Sequence, residues 1–315
     1  MALPSNDEWM TAIQNAPKLS KCSKRSYAKQ IKAVLRACDL SGPLGISTVM
    51  FNVDDHLPAL SKVPDHTLRT HLSAIVAMFK RGEEASIFKR CHANITKHHR
   101  AWSEELFKSR GRYKVRIEDN KPSDRELEAR STMADWGRAL KFMQETEPDS
   151  QAALLVAFHA LALPPLRGGD LSHVRIGETM TGNFIRVYPD SRCLAFPEGR
   201  AKLVIREHKS AASYGDLVRE LPAELIRLLL RSVRAEPREW LFTTKALAPY
   251  SDSGFSAWKC RMFHKAFEGR PVSTNSLRHA YISEVDRQHQ TIREARELAK
   301  AMGHSLQMQR EYVRL

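Results

Sequence analysis

The sequence predicts a mostly α-helical protein of two domains, with one small antiparallel sheet late in the chain. Three observations carry this expectation. The 315 residues exceed one ordinary domain of roughly 100–200 residues. Apolar residues recur at helical spacing through the first half and again after Pro222. Between them, residues 183–221 hold short β-rich pieces punctuated by Gly and Pro. Helices, then a sheet, then helices make the second domain α+β.

In the first half, Ser26 to Asp39 places Tyr27, Ile31, Val34, Leu35 and Cys38 on one helix face, and Ser41-Gly42-Pro43 ends it. His66 to Arg81 is a second helix with Leu68, Leu72, Ile75, Val76 and Phe79 as its stripe, and Asp65 is placed to cap it. Shorter helices are expected over Glu83–Thr96 and Ala101–Ser109. Trp9 and Met10 mark a terminal segment that either packs on the domain or offers a partner a face, packing being the simpler role. The basic run Ser109 to Arg116 leads into polar, Pro-containing Ile117 to Ser123. The expected division is therefore 1–115, a linker at 116–123, and 124–315. A basic linker can track a phosphate backbone or serve as a solvated tether.

In the second half, helices are expected over Asp124–Thr146 and Ser150–Leu163, the latter apolar nearly all round and therefore central. Strands are expected at Asn183–Tyr188, Leu194–Phe196, Leu203–Glu207 and Leu217–Leu221. Helices follow at Glu224–Arg234, Ser253–Phe267, Ser276–Gln288 and Ile292–Met302, where Gly303 stops the chain's helical run. A last helix starts at Leu306.

Composition narrows the function. Fifty Lys/Arg face 36 Asp/Glu, a net charge of +14 with pI about 9.7. Residues 1–120 hold 20 of those cations against 12 acids. Such a chain is drawn to polyanions, nucleic acid first and an acidic membrane surface second. The N-terminus has no basic and apolar signal regions. The longest apolar run, Ala152 to Leu166, is broken by His159 and Pro164-Pro165 and falls short of the ~20 residues of a membrane span. The five cysteines (Cys22, Cys38, Cys91, Cys193, Cys260) form no CxxC pair, which points to a reducing compartment and away from a disulfide scaffold or structural zinc. Cys91, His92, His98 and His99 lack zinc spacing and read as a solvated basic face.

Four pieces carry chemistry. They are Leu163-Pro-Pro-Leu-Arg167-Gly-Gly-Asp170; Glu207-His-Lys209-Ser210 at an expected hairpin; Thr274-Asn275-Ser-Leu-Arg278-His279; and Gly303-His304 followed by Tyr312. In this order they resemble the tyrosine recombinase (phage integrase) family, whose catalytic domain is related to type IB topoisomerases. The resemblance covers 124–315 by motif, and 20–110 only by its helical pattern and position, like the family's core-binding domain. It implies that Arg167 and Arg278 bind the scissile phosphate, Lys209 is the hairpin lysine, His304 the Gly-His histidine and Tyr312 the nucleophile. Tyr312 lies eight residues after His304, one short of the commonest spacing. The family histidine three residues before Arg278 is here Asn275. Asn hydrogen-bonds a phosphate oxygen but takes no proton near neutral pH. His279 is turned roughly 100° around the helix from Arg278 and is not expected to substitute.

The residue types suit the reaction. A phenol of pKa about 10 is a poor nucleophile until cations favour its phenolate. Two arginines give paired N–H donors to a phosphate whose charge grows in the transition state, without a metal. A lysine at a hairpin tip can protonate the leaving 5′-oxygen. Each residue has a plainer role too. Arg167 alone reads as a surface residue, with Asp170 as a local pair. Lys202 rivals Lys209, Tyr214 and Tyr281 rival Tyr312, and Tyr312 itself can be a packing residue.

The expected activity is site-specific cutting and rejoining of duplex DNA through a 3′-phosphotyrosine, in DNA recombination or integration of a mobile element. No metal or nucleotide cofactor is expected, since no Walker motif or acidic ligand cluster is present. No small-molecule substrate and no membrane are expected. The resemblance implies a tetramer on two DNA sites, working in cytoplasm or nucleoid in a bacterium and in the nucleus of a eukaryote or for a virus. Many members continue beyond the tyrosine into a docking helix; this sequence stops at Leu315, so assembly is expected to use another surface or a longer chain. Two alternatives stand: topoisomerase-like relaxation, and a non-catalytic DNA-binding derivative, which Asn275 keeps open.

Overall fold

The computed structural model describes residues 3–90, 94–118, 124–177, 181–188, 200–208, 210–286, 291–303 and 305–312. The chain divides into two compact units, Met1–Lys121 and Pro122–Leu315.

The first unit is helical: α1 (Asn6–Asn15), α2 (Lys21–Ala37), α3 (Gly45–Phe51), α4 (Val53–Leu60), α5 (Asp65–Glu84) and α6 (Ile95–Glu118), with a 3-10 turn at Ile87–Arg90. Helix α5 is its centre, packing on α6, α2 and α1. It buries Leu68, Leu72, Ile75 and Phe79 as the periodicity requires, and Met78 in place of half-exposed Val76. Trp9 is 0 % exposed and donates its indole N–H to Ser47 Oγ at 2.9 Å, so α1 packs into the core. Three expectations change here. Asp65 opens α5 but does not cap it, because extended Pro64 takes the N-cap position. Among the described residues no single helix spans 83–96: α5 ends at Glu84, a 3-10 turn covers Ile87–Arg90 and α6 starts at Ile95. The basic run from Ser109 belongs to α6, which continues to Glu118. Its Tyr113 ring lies 3.6 Å from the Arg69 guanidinium and Arg112 pairs with Asp65 at 3.4 Å, two ties to α5 that favour continued helix.

The second unit contains α7 (Asp124–Glu128), α8 (Met133–Thr146), α9 (Gln151–Leu161), β1 (Val174–Ile176), β2 (Asn183–Tyr188), β3 (Arg200–Ile205), α10 (Ala211–Tyr214), β4 (Leu217–Glu220), α11 (Ala223–Ala235), α12 (Asp252–Ala266), α13 (Thr274–Asp286), α14 (Ile292–Ala301) and α15 (Leu306–Tyr312). The helix expected over 124–146 breaks in two because Thr132 and Asp135 form a capping box that starts α8 afresh. Helix α9 is buried from Ala152 to His159 and packs on α8, α11 and α12, which makes it the central element expected.

The sheet has the order β1-β2-β3-β4. It is mixed rather than wholly antiparallel: β2-β3 and β3-β4 are antiparallel, but β1 runs parallel to β2, with Val174 opposite Asn183. A three-residue strand shows no readable alternation, and Gly177 (φ 109°) and Gly182 (φ 77°) supply the left-handed backbone at the two ends of its connection. The strand expected at Leu194–Phe196 lies outside the described residues. Strand β3 stops at Ile205 because Asn183 Oδ1 accepts from the Arg206 and Glu207 amides, both at 2.8 Å, beyond the ladder. No helix among the described residues is long and apolar enough to cross a membrane.

Candidate active site

Helix α9 ends where Pro164-Pro165 cannot continue it, and the chain turns through Arg167 to Asp170. Asp170 Oδ2 accepts from the Arg167 amide at 3.0 Å. The carboxylate thus shapes the turn rather than pairing with the guanidinium as the sequence suggested, and its burial raises its pKa. The Arg167 guanidinium is free to reach outward. It donates to Ser210 Oγ at 3.0 Å and to the Gly303 carbonyl at 2.7 Å, and Ser210 donates to that same carbonyl at 2.7 Å.

Arg278 projects from α13 and is 1 % exposed. It donates to the Pro165 carbonyl at 3.0 Å and to the Met302 carbonyl at 3.2 Å. Burial lowers its pKa, and Tyr312 opposes that fall. Tyr312, half-buried in α15, sets its ring 5.1 Å from the Arg278 guanidinium. His279 donates from Nδ1 to the Tyr312 carbonyl at 2.9 Å and lies against its ring. His279 therefore positions the tyrosine through its backbone.

Arg219 completes the cluster, and sequence reasoning did not select it. From β4 it donates to the Ala162 carbonyl at 3.1 Å, to the Pro164 carbonyl, and to the Ala301 carbonyl at 2.7 Å. Burial, with Arg278 nearby, lowers its pKa to about 10. The signal was present: in Leu217-Val-Arg219-Glu-Leu221 strand alternation puts Arg219 on the face of the two buried leucines. The carbonyls where α14 ends, at Ala301, its C-cap Met302 and Gly303, thus each receive a different arginine. Gly303 (φ 66°) follows as the expected glycine stop.

Of the six expected site residues, Arg167, Arg278 and Tyr312 converge. Asn275 is exposed in the first turn of α13, one turn before Arg278. Lys209 and His304 lie outside the described residues; their chain neighbours Ser210 and Gly303 bond each other and Arg167. Tyr281 is half-buried with its pKa raised by burial, and Tyr214 lies on α10. His98 packs edge-on to Phe51 and His99 stacks on Phe79, while Cys91 and His92 lie outside the described residues. No metal-ligating cluster occurs among the described residues.

No protein-family model and no curated protein matches the sequence. Solved structures do match. A lambda integrase dimer bound to a COC′ core site aligns with TM-score 0.58 and 14 % identity over 98 % of this chain and 77 % of that one. A dimer of lambda integrase residues 75–356 on the same kind of site gives 0.56 and 15 % over 98 % and 95 %. A lambda integrase tetramer bound to a Holliday junction gives 0.56 and 14 % over 98 % and 77 %. At these identities the likeness is one of fold: the chain has the integrase fold, mostly helical with one small sheet.

Proposed function

We propose that this chain is a DNA strand transferase of the tyrosine-recombinase type. The observation that carries the reading is the convergence of Tyr312 with Arg278 and Arg167, in a basic chain whose fold is that of DNA-bound integrases. In the proposed step, Tyr312 Oη attacks a backbone phosphorus. The Tyr O–P bond forms, the bond from phosphorus to the 5′-oxygen breaks, and the phenol proton is lost as the leaving oxygen gains one. A 3′-phosphotyrosine and a free 5′-hydroxyl result. The phosphoester keeps the bond energy, so the reverse attack by a 5′-hydroxyl reseals the strand without ATP.

The N–H groups of Arg167 and Arg278 not used on carbonyls would bind the non-bridging oxygens, where charge grows most. Lys209 is proposed as the acid for the leaving oxygen, with Asn275 and His304 as hydrogen-bond donors to the phosphate. Because Arg278 is buried beside Tyr312, DNA binding has to uncover it. Two or four copies acting on paired sites would follow the assemblies of the integrases above. Phosphate contacts would make affinity fall steeply with salt.

The test is a nicked suicide duplex, from candidate sites or a random pool, incubated without metal or ATP. A denaturation-resistant adduct that is lost in Tyr312→Phe is the expected result. Selective capture of one site marks a recombinase, whereas relaxation of any supercoiled plasmid marks a topoisomerase. Intact DNA binding with no adduct on any substrate overturns the catalytic reading in favour of a binding protein.

A further inference from the structure

We propose that Lys259 is an additional phosphate-binding cation of this site, acting from α12 beside Thr274, the first residue of α13. That the phosphate belongs to a DNA phosphodiester rests on the strand-transfer reading; the anion site itself does not.

Lys259 is 9 % exposed. Its ammonium passes the Phe255 ring, 5.9 Å from the centroid, and ends against the turn that carries Arg167. A Cβ placed on Gly168 would lie 1.9 Å from Lys259 Nζ and 2.7 Å from Thr274 Oγ1. The ammonium and the hydroxyl thus crowd one point above Gly168, which only glycine leaves open. Thr274 is 6 % exposed and its Oγ1 has no hydrogen-bond partner. Among the described residues Lys259 has neither a hydrogen bond nor an ion pair. A buried hydroxyl without a partner, beside an ammonium with no counter-ion, suits a ligand that bonds both.

The surroundings select an oxyanion. Arg167, Arg219, Arg278 and Lys259 gather about residues 162–170, where Asp170 is the buried carboxylate. Thr274 opens the thirteen-residue helix α13, whose N-terminus adds partial positive charge at the same point. Asn275, next along, can donate a hydrogen bond but supplies no charge. An ammonium, a hydroxyl and a helix N-terminus together suit phosphate oxygens. Burial lowers the Lys259 pKa, and Cys260 and then Asp170 partly oppose this.

The first arm of the test needs no DNA. Inorganic phosphate is titrated into the full chain at constant ionic strength, with Tm as readout, for wild type, Lys259→Met and Thr274→Val. Methionine keeps the packing on Phe255 and removes the charge. Phosphate should raise the Tm of wild type, raise that of Thr274→Val less, and leave Lys259→Met at its chloride value. An equal rise in wild type and Lys259→Met overturns the proposal and makes Lys259 a packing residue. Should Lys259→Met fail to fold, Gly168→Ala decides, since its methyl displaces the ammonium: loss of the phosphate response supports the site and retention overturns it.

The second arm is adduct formation on the suicide duplex. Lys259→Met should slow it about 10- to 100-fold, as loss of a charge-assisted bond does, with duplex affinity nearly unchanged. Adding Asn275→His should recover part of the rate. An unchanged rate in Lys259→Met overturns the assignment to the scissile phosphate. A phosphate response that depends on Lys259, in a protein that forms no adduct with any DNA, keeps the anion site and refutes strand transfer instead.

Discussion

Arg167 and Gly303 are joined by a 2.7 Å hydrogen bond from the guanidinium to the glycine carbonyl, across 136 positions of sequence. The two preceding carbonyls, Met302 and Ala301, are held by Arg278 and Arg219. A helix C-terminus exposes carbonyls that favour cations. Here it serves as the frame on which three arginines are set side by side. Each arginine also reaches another element: Ser210 for Arg167, and the 162–165 segment for Arg219 and Arg278. The frame therefore fixes the turn after α9 against the end of α14.

Tyr312→Phe removes only the phenol oxygen and leaves the ring contacts with Arg278 and His279 in place. Covalent adducts should disappear while duplex affinity stays within about twofold. Gel-shift titration beside denaturing electrophoresis checks this. Adducts that persist in the variant refute Tyr312 as the nucleophile.

Arg278→Ala takes both a proposed transition-state donor and two bonds to backbone carbonyls. Adduct formation should slow about 10²–10³-fold. Stability should fall by about 1–3 kcal/mol, because the Pro165 and Met302 carbonyls lose their donor. Single-turnover cleavage and urea unfolding separate the two effects.

Arg219→Met tests the frame without touching the proposed phosphate contacts. The carbonyls of Ala162, Pro164 and Ala301 lose a shared donor, so stability should drop by about 2–4 kcal/mol. Strand cleavage should slow at saturating DNA, with Kd nearly unchanged. A pure loss of affinity would instead assign Arg219 to DNA binding.

His159 should impose acid lability. It is buried in α9, donating from Nδ1 to the Leu155 carbonyl at 2.9 Å, and burial holds its pKa down at about 3. Unfolded, it titrates near 6.5, so between those values the unfolded chain binds a proton that the folded chain refuses. The folded state keeps its full advantage above about pH 6.5 and loses it as pH falls toward 3, by up to about 1.4 kcal/mol per pH unit. His159→Phe, which retains a ring against Trp136 and Phe263, should flatten that slope in urea unfolding from pH 7 to 4.

Much of the helical framework was legible because its signals are local. The stripe of α5, the all-apolar α9 and the stop at Gly303 depend on residues three or four apart. Boundaries failed where a single tertiary tie outweighed the local pattern. Arg69 on Tyr113 favours continuing α6 through residues read as a linker, and Asn183 ends β3 early. The sheet was read as antiparallel because β1 is too short to show a period.

By itself, the sequence determined which side chains are present, their order and their helical or extended setting. Arg167 stands after a helix ended by prolines, Arg278 stands on a helix, and Tyr312 stands near the last turn. Only the tertiary structure decided what they meet. Nothing in the local sequence names a partner for Arg219 until packing brings the 162–164 segment and Ala301 to it, or for Lys259 until α12 sets it against Gly168. The physical reason is range. Capping and periodicity act within one or two turns, whereas a buried guanidinium or ammonium takes whatever partners distant elements carry to it when the core closes.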